Sequence, residues 1–209
     1  MSGELSGVFH VHIVDDDDRV RRALKRLVSR AGFDARLNSD AETFLGNFDP
    51  ALPGCAILDM YLPKLNGFDL QQKIAAIAPN CPVVFLTGRG DIGMGVKAMK
   101  EGAFDFLTKP VHSQKLLATL AAAEARVEES LAITRDAARY EERLRNLTPR
   151  EAEVLAAVVE GNFNKQIAHD LGLAEKTVKV HRARVMKKMG LRSIADLVRA
   201  SITKRIDGP

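Results

Sequence analysis

The chain has 209 residues, 46% of them hydrophobic, so it can bury a core, and its length suits two small domains better than one large one. No apolar run approaches the roughly 18 residues of a membrane span, and residues 1–7 suggest a flexible tail and no leader, so we expect a soluble, cytoplasmic protein without membrane contact. The net charge of +4 comes from residues 147–209, which hold 12 Lys and Arg against 7 Asp and Glu and favour a polyanion-binding module, with nucleic acid the leading candidate.

Cysteine usage argues against a disulfide framework. The sequence contains two cysteines, Cys55 and Cys81, and each opens an apolar run typical of a strand. We therefore expect two buried thiols in a reducing compartment, and no spacing suits a metal–thiolate site.

The first predicted strand, residues 9–14, ends in four consecutive acids, Asp15 to Asp18. Apolar residues at helical spacing then predict an amphipathic helix over residues 20–31, with Asp18 as its N-cap. Negative charge is favourable at a helix N-terminus, and this explains Asp17 and Asp18 without a role in chemistry.

Two further elements follow before the middle of this domain. Residues 33–37 alternate in polarity, which predicts a second strand. Ser39 and Glu42 then have capping-box spacing, and they precede a short helix that ends near Phe48.

The third predicted strand, Cys55 to Leu58, ends abruptly in Asp59, and a loop from Pro63 to Gly67 follows. In open α/β sheets, reaction sites lie outside the carboxyl ends of the strands. Asp59 is therefore placed for chemistry, although a solvated loop acid is the alternative when this residue is taken alone.

The remaining elements repeat the same strand–helix alternation. Leu70, Ile74 and Ile77 mark a third helix, and residues 83–86 form a fourth strand that ends in Thr87. The next helix is expected to turn Ile92, Val96 and Met99 inward. The fifth strand, residues 104–107, leads to Lys109. Five strands alternating with helices predict a doubly wound, five-stranded parallel sheet with a helix after Pro110.

Residues 125–146 contain neither Gly nor Pro and are rich in Ala, Glu and Arg, which predicts a helical linker between two domains. About 30 residues of continuous helix would span about 45 Å. A coiled-coil seam is one interpretation, but the apolar stripe is thin beyond Leu131, so a solvated spacer is preferred.

Polar side chains that follow four of the predicted strands are expected at one edge of the sheet: Asp15 and Asp16, Asp59, Thr87, and Lys109. Carboxylates held together repel, and a hard divalent cation such as Mg²⁺ relieves that repulsion. A hydroxyl and an ammonium beside them suit a phosphoryl group, with Asp59 as the nucleophile that forms an acyl phosphate.

This pattern resembles the receiver domain of two-component response regulators over residues 8–124. The family motifs appear here as Asp15-Asp16, Asp59-Met60-Tyr61-Leu62-Pro63 with Gly67, Thr87, and Lys109-Pro110. The resemblance implies a flavodoxin-like α/β receiver in which Asp59 accepts a phosphoryl group from a sensor histidine kinase. It also implies Mg²⁺ (or Mn²⁺) on Asp16, Asp59 and the backbone carbonyl of Tyr61, with Asp15 acting through water.

The same resemblance assigns roles to three residues around the phosphoryl site. Phe106 occupies the position of a switch aromatic, whose inward turn follows movement of Thr87 toward the phosphoryl group; an ordinary strand aromatic is the alternative. Tyr61 and Arg89 occupy rim positions at which the family tunes the lifetime of the acyl phosphate, because a phenol or a guanidinium there could screen the attacking water.

The C-terminal domain, residues 147–209, has the order of elements typical of a helix-turn-helix. Thr148 and Glu151 form a capping-box pattern at the start of one helix, and Asn164 is expected to cap a second, short helix. After a glycine turn, a longer basic helix is predicted over residues 175–189.

The basic helix separates an apolar stripe from a cationic face. Val178, Val185 and Met189 repeat at core spacing, and cations that include Lys188 lie on another side. A solvated charged helix is one interpretation, but the position directly after the turn favours a recognition helix in the DNA major groove.

Residues 147–203 closely resemble the LuxR-type helix-turn-helix of the NarL/FixJ branch of response regulators, in LTPREAEVL, NKQIAHDLGL and EKTVKVHRARVMKKMG. The resemblance implies that Lys179 and Val180 face bases. The full set of implied DNA contacts is Lys176, Thr177, Lys179, Val180, His181, Arg182, Arg184 and Lys187. A last helix over residues 194–202 resembles the dimer-forming helix of the family, although its apolar residues could equally be core.

Together these expectations describe a phosphorylation-dependent transcriptional regulator and not an enzyme, apart from autocatalytic phosphoryl acceptance and loss. Its expected partners are a sensor histidine kinase, promoter DNA, a second copy after phosphorylation, and RNA polymerase. Dimerisation and release of an inhibited domain both remain open as the activation step. Two rival hypotheses are a Mg²⁺-dependent phosphohydrolase, which commonly needs an acid where Tyr61 stands, and a constitutive DNA-binding protein with a vestigial receiver.

Overall fold

The computed structural model describes residues 7–88, 92–191 and 196. The chain divides into two compact units, residues 1–131 and 132–209, so the division lies seven residues beyond the receiver boundary predicted at residue 124. Within the described residues, no helix is both long and apolar enough to cross a membrane.

Unit 1 is a five-stranded parallel sheet between two layers of helices, which confirms the predicted fold class. Its strands lie in the order β2-β1-β3-β4-β5, so the direction of winding reverses between β1 and β3. The elements are β1 His10–Val14, α1 Asp18–Arg30, β2 Asp34–Asn38, α2 Ala41–Asn47, β3 Gly54–Asp59, α3 Gly67–Ile77, β4 Val83–Thr87, α4 Ile92–Lys100, β5 Asp105–Thr108 and α5 Ser113–Arg145.

Both faces of the sheet are buried, because helices cover each of them. In β3, Cys55 and Ile57 enter the core beneath α1 and α5, while Ala56 and Leu58 enter the core beneath α2, α3 and α4. Burial on both faces explains why this strand is a continuous apolar run instead of an alternating one.

Both cysteines are free thiols, as the sequence predicts. Cys55 is buried and Cys81 is half-buried. Burial raises the pKa of the Cys81 thiol to about 12 and also raises the pKa of Cys55, so neither forms a thiolate at neutral pH.

The caps of two helices in unit 1 differ from the prediction by one residue. Asp17, not Asp18, caps α1, and its side chain accepts from the backbone N–H of Arg19 at 2.8 Å. Asp18 lies in the first turn, where it pairs with Arg22 at 2.8 Å. Asp40, not Ser39, caps α2 by accepting from the Thr43 N–H at 2.8 Å.

The predicted inward face of α4 is wrong at two of its three positions. Val96 and Met99 are 48% and 43% exposed, and the side chain of Ile92 lies outside the part of the helix that the structure describes. Among the described side chains of this helix, Gly95 and Ala98 are buried. The ring of Phe106 takes the space, since a Cβ on Gly95 would lie 2.8 Å from it. On α3, Ile77 is likewise exposed, whereas Leu70 and Ile74 are buried as predicted.

The linker region belongs to α5, a single helix of 33 residues. Its first turns bury Leu116, Leu120 and Val127 in the core of unit 1. Residues 132–139 are exposed in the single chain.

Unit 2 contains three further helices, α6 Pro149–Val159, α7 Asn164–Asp170 and α8 Glu175–Met189. They bury one apolar cluster that includes the predicted stripe of Val178, Val185 and Met189 on α8. Tyr140 and Leu144, near the end of α5, pack against the same cluster. The predicted helix over residues 194–202 lies outside the described residues, apart from a helical Asp196.

Two helix starts in unit 2 show how the caps are formed. Thr148 and Glu151 make the predicted capping box at the start of α6. Asn164 is not the cap of α7; Phe163 takes that position, and its backbone N–H donates to Gln166 Oε1 at 2.8 Å. Asn164 Oδ1 instead accepts from Arg182 Nη1 at 2.6 Å.

Candidate functional sites

The carboxyl edge of the sheet gathers the polar residues that the sequence assigns to phosphoryl chemistry. Asp59 ends β3, Thr87 ends the neighbouring β4, and Asp15 and Lys109 directly follow β1 and β5. These four strands are consecutive in the sheet, so their ends meet on one side of the molecule.

Three carboxylates in this edge could hold a metal ion. One oxygen from each of Asp15, Asp16 and Asp59 lies within 4.8 Å of the others. Asp15 and Asp59 are buried, while Asp16 is exposed. Three oxygen donors with one open side suit a hard cation that keeps part of its water shell.

Lys109 connects the two buried acids of this cluster. Its Nζ lies 2.8 Å from Asp15 Oδ2 and 3.0 Å from Asp59 Oδ2. Burial lowers the pKa of Lys109, but the hydrogen bonds to both carboxylates outweigh it, so the pKa is raised. Burial raises the pKa of Asp15, and the hydrogen bond from Lys109 offsets only part of that effect. The free-energy cost of burying the ionised Asp15 carboxylate is therefore only partly offset, and a further cation nearby would reduce it.

Gly67 lets the start of α3 approach the end of β3. A Cβ at Gly67 would lie 2.7 Å from the backbone oxygen of Asp59 and 2.8 Å from the ring of Phe85. The Gly67 N–H also donates to the Met60 carbonyl at 3.2 Å. The sequence shows a glycine in this loop, but the reason for it is the close approach of these two backbones.

The other predicted residues of the phosphoryl site are placed as follows. Thr87 is buried and donates to the Gly88 carbonyl at 3.0 Å. Phe106 is half-buried against α4, with Lys115 Nζ 6.0 Å from its ring centre. Tyr61 is 58% exposed at the rim, with its backbone N–H 3.5 Å from Asp59 Oδ1, and Arg89 lies outside the described residues.

The second site is the exposed side of α8. Six residues are exposed there: Lys176, Lys179, Val180, Ala183, Arg184 and Lys187. Thr177, His181 and Arg182 are half-buried on its flanks. Four cations and two apolar residues thus face solvent together, as a helix that binds a polyanion requires.

Lys188 does not widen this face, contrary to the prediction. Its Nζ lies 2.6 Å from Glu151 Oε2 and 3.0 Å from the Asn146 carbonyl, so it ties α8 to α6. The hydrogen bond from Lys188, together with the backbone N–H of Thr148, lowers the pKa of Glu151 to about 2. The capping-box pattern identifies Glu151, but nothing in the local sequence indicates its partner.

A second long-range hydrogen bond, which was not predicted from the sequence, is made at the end of α8. Arg143, near the end of α5, donates from Nη1 to the Met189 carbonyl at 2.7 Å. A guanidinium satisfies an otherwise open carbonyl at the negative end of the helix dipole. Basic residues in the last turn of α5 were visible in the sequence, but their target 46 residues away was not.

Two family models match the chain, one over most of unit 1 and the other within unit 2. One, described as the response regulator receiver domain, matches residues 11–121, and the other, described as bacterial regulatory proteins of the luxR family, matches residues 145–201. The chain belongs to the NarL/FixJ family of response regulators. This response regulator is thus a transcriptional regulator with a receiver domain and a LuxR-type DNA-binding domain.

Whole-chain relatives share this arrangement. Nodulation protein W of Bradyrhizobium diazoefficiens is 42% identical over 92% of this chain and 85% of that protein. The transcriptional regulatory protein FixJ of Rhizobium meliloti is 37% identical over 93% of this chain and 95% of that protein. Among solved structures, the response regulator StyR has a TM-score of 0.82 at 41% identity, covering 94% of this chain and all of that one. Full-length FixJ from B. japonicum has a TM-score of 0.58 at 34% identity, covering 96% and 98%.

Proposed function

We propose that this response regulator accepts a phosphoryl group on Asp59 from a sensor histidine kinase and that the phosphorylated form controls transcription. The observation that carries the proposal is the contact of Lys109 Nζ with both Asp59 and Asp15 at the carboxyl edge of the sheet. An ammonium held between two acids supplies positive charge where a phosphoryl oxygen would arrive.

In the proposed transfer, a carboxylate oxygen of Asp59 attacks the phosphorus of a phosphohistidine. An O–P bond forms, the P–N bond breaks, and its electron pair stays on the imidazole nitrogen. Lys109 stabilises the transferred oxygens, and the Thr87 hydroxyl, buried at the end of β4, would exchange its hydrogen bond to the Gly88 carbonyl for one to a phosphoryl oxygen. The chain thus carries out autocatalytic acceptance and loss of the group and turns over no separate substrate.

The acidic cluster fits Mg²⁺ or Mn²⁺ as the cofactor of this step. Asp16 and Asp59, with the backbone carbonyl of Tyr61, would bind the ion, and Asp15 would act through water. The bound ion would neutralise charge on the phosphoryl oxygens. The raised pKa of Asp15 supports the proposal, because a second cation would compensate the burial of this carboxylate.

The proposed output is the docking of α8 in the major groove of promoter DNA. Lys179 and Val180 face bases, while Lys176, Arg184 and Lys187 meet phosphates or base edges; Thr177, His181 and Arg182 flank them. Exposure of the cationic face supports this role. The exposed Val96 and Met99 on α4 support pairing of two receivers after phosphorylation, which would place two α8 helices on one site. RNA polymerase is a further proposed partner, in the cytoplasm.

Asp59→Asn tests the proposal, because it removes the nucleophilic oxygen while keeping the side-chain size. We expect wild-type protein incubated with radiolabelled acetyl phosphate and Mg²⁺ to incorporate label and the variant to incorporate none. Asp136→Asn is the matched control, since Asp136 is an exposed acid on α5, and it should label like wild type. Labelling of the Asp59→Asn variant at the wild-type level contradicts the proposal.

A further inference from the structure

Phe163 is highly exposed, and it occupies a helix N-cap, where an aromatic side chain cannot form the capping hydrogen bond. Its side chain is 76% exposed, the highest fraction among the large hydrophobic residues that the structure describes. It is the N-cap residue of α7, where Ser, Thr, Asp or Asn would offer an oxygen to the open N–H groups. A phenyl ring offers none, so the ring contributes neither to the start of α7 nor to the core.

The neighbours of Phe163 place it beside α8. Asn164, the next residue, accepts from Arg182 Nη1 at 2.6 Å, so the first turn of α7 lies against the middle of α8. The exposed side of α8 carries Val180 among its cations. Unit 2 therefore exposes an aromatic ring next to the helix that carries the cationic face.

The docking of helix-turn-helix domains brings this region to the DNA. When the second helix lies in the major groove, the first helix of the motif crosses the sugar–phosphate backbone. An exposed ring at the start of α7 then meets the apolar surfaces of the duplex, which are the deoxyribose carbons and the C5-methyl groups of thymine.

We propose that Phe163 is a DNA-contacting residue that packs its ring on one of these apolar surfaces and adds affinity without a charge. The inference rests on the proposed docking of α8, and it assigns the start of α7 a role in the interface. Because an apolar contact displaces no counterion from a phosphate, its contribution does not depend on salt concentration.

The test measures binding of the full chain to a duplex of about 30 base pairs, selected from a random pool by the wild-type protein, at several salt concentrations. Phe163→Ala should weaken binding about fivefold or more at every salt concentration, with an unchanged slope of log affinity against log salt. Phe163→Ser should weaken binding equally while supplying a capping oxygen, so its thermal stability should equal or exceed that of wild type. Lys187→Ala is the contrasting variant, because loss of a cation that meets a phosphate should reduce the slope by about one.

Replacing the thymines of the duplex with uracils separates the two apolar surfaces. If the ring packs on a methyl group, binding of wild type weakens more than binding of Phe163→Ala. If the ring packs on deoxyribose, the altered duplex changes the affinity of both proteins by the same factor.

The inference is overturned if Phe163→Ala and Phe163→Ser bind within twofold of wild type, or if their loss comes with a reduced salt slope. If Lys187→Ala still binds more weakly than wild type, such a result excludes a DNA contact by Phe163 and leaves the proposed docking of α8 in place. If Lys187→Ala also binds like wild type, the proposed docking of α8 fails as well.

Discussion

Single residues determine the chemistry of the proposed phosphoryl site. Asp15, Asp59 and Lys109 come from three strand ends, and the ammonium lies 2.8 and 3.0 Å from the two carboxylates. The sequence predicted this grouping, since the type of each residue and its place after a strand are both visible in it. The structure adds which acid is fully buried, Asp15, and that depends on packing around the strand end.

Caps were harder to assign at this scale. Asp18, Ser39 and Asn164 were predicted as caps, and the residue before or after each one takes the position instead. Adjacent Asp and Ser residues have equal chemical ability to cap, and backbone dihedral angles decide between them. The spacing of residues in the sequence does not show which of two adjacent residues is the N-cap.

The carboxylate of Glu151 makes the stability of unit 2 depend on pH. Its pKa is about 2 in the folded chain, below the ordinary 4.5, so the ionised group stabilises the fold above about pH 4.5 and this contribution is lost as pH falls toward 2. Glu151→Gln keeps a capping-box acceptor without the charge. We expect the protection factors of buried α6 amides, which correct for the intrinsic pH dependence of hydrogen exchange, to fall on acidification from about pH 5 to 3 more in wild type than in the variant.

Glu153→Gln is the matched control for this experiment. Glu153 lies on the same helix but is exposed, and its ion pair with Arg150 is at the surface. It should follow the wild-type pH profile. Equal acid sensitivity of wild type and Glu151→Gln would contradict the role assigned to this carboxylate.

Secondary-structure elements were predicted well where the pattern is local. All five strands and the helices within the described residues were expected, because each strand is a short apolar run or, in β2, alternates in polarity, and Gly or Pro separates most elements. The face of α4 was not, because the pattern favoured its larger apolar residues. The ring of Phe106 fills that side and leaves no space for a side chain at Gly95.

The contact between β3 and α3 gives a prediction about Gly67. An alanine there would place its Cβ 2.7 Å from the Asp59 carbonyl and 2.8 Å from the Phe85 ring, both of which must shift. We expect Gly67→Ala to lower the free energy of unfolding by about 1–3 kcal/mol and to slow labelling of Asp59 by acetyl phosphate. Thermal unfolding and a labelling time course measure the two effects.

Gly46→Ala provides the comparison for this change. Gly46 lies in α2, and none of the described residues would come within 4 Å of a new Cβ. The substitution should leave stability unchanged or slightly raised, since alanine favours a helix. If Gly67→Ala behaves like Gly46→Ala, the close approach does not hold Asp59 in place.

The whole molecule joins a receiver to a DNA-binding domain, and the order of sequence motifs was sufficient to predict that. The absence of Gly and Pro also predicted the helical linker. Long-range hydrogen bonds could not be predicted from the sequence, because Arg143 and Lys188 bind partners that lie 46 and 37 residues away in the chain. Such pairs follow from packing in unit 2 and have no local pattern.

The central claim is that phosphorylation of Asp59 controls DNA binding, and one measurement tests it most directly. The affinity of the full chain for its selected duplex is measured with and without beryllofluoride and Mg²⁺, a mimic of the phosphoryl group, for wild type and Asp59→Asn. We predict that the mimic tightens binding of wild type about tenfold and leaves the variant unchanged. Equal wild-type affinity with and without the mimic, or an equal response of Asp59→Asn, would contradict the account.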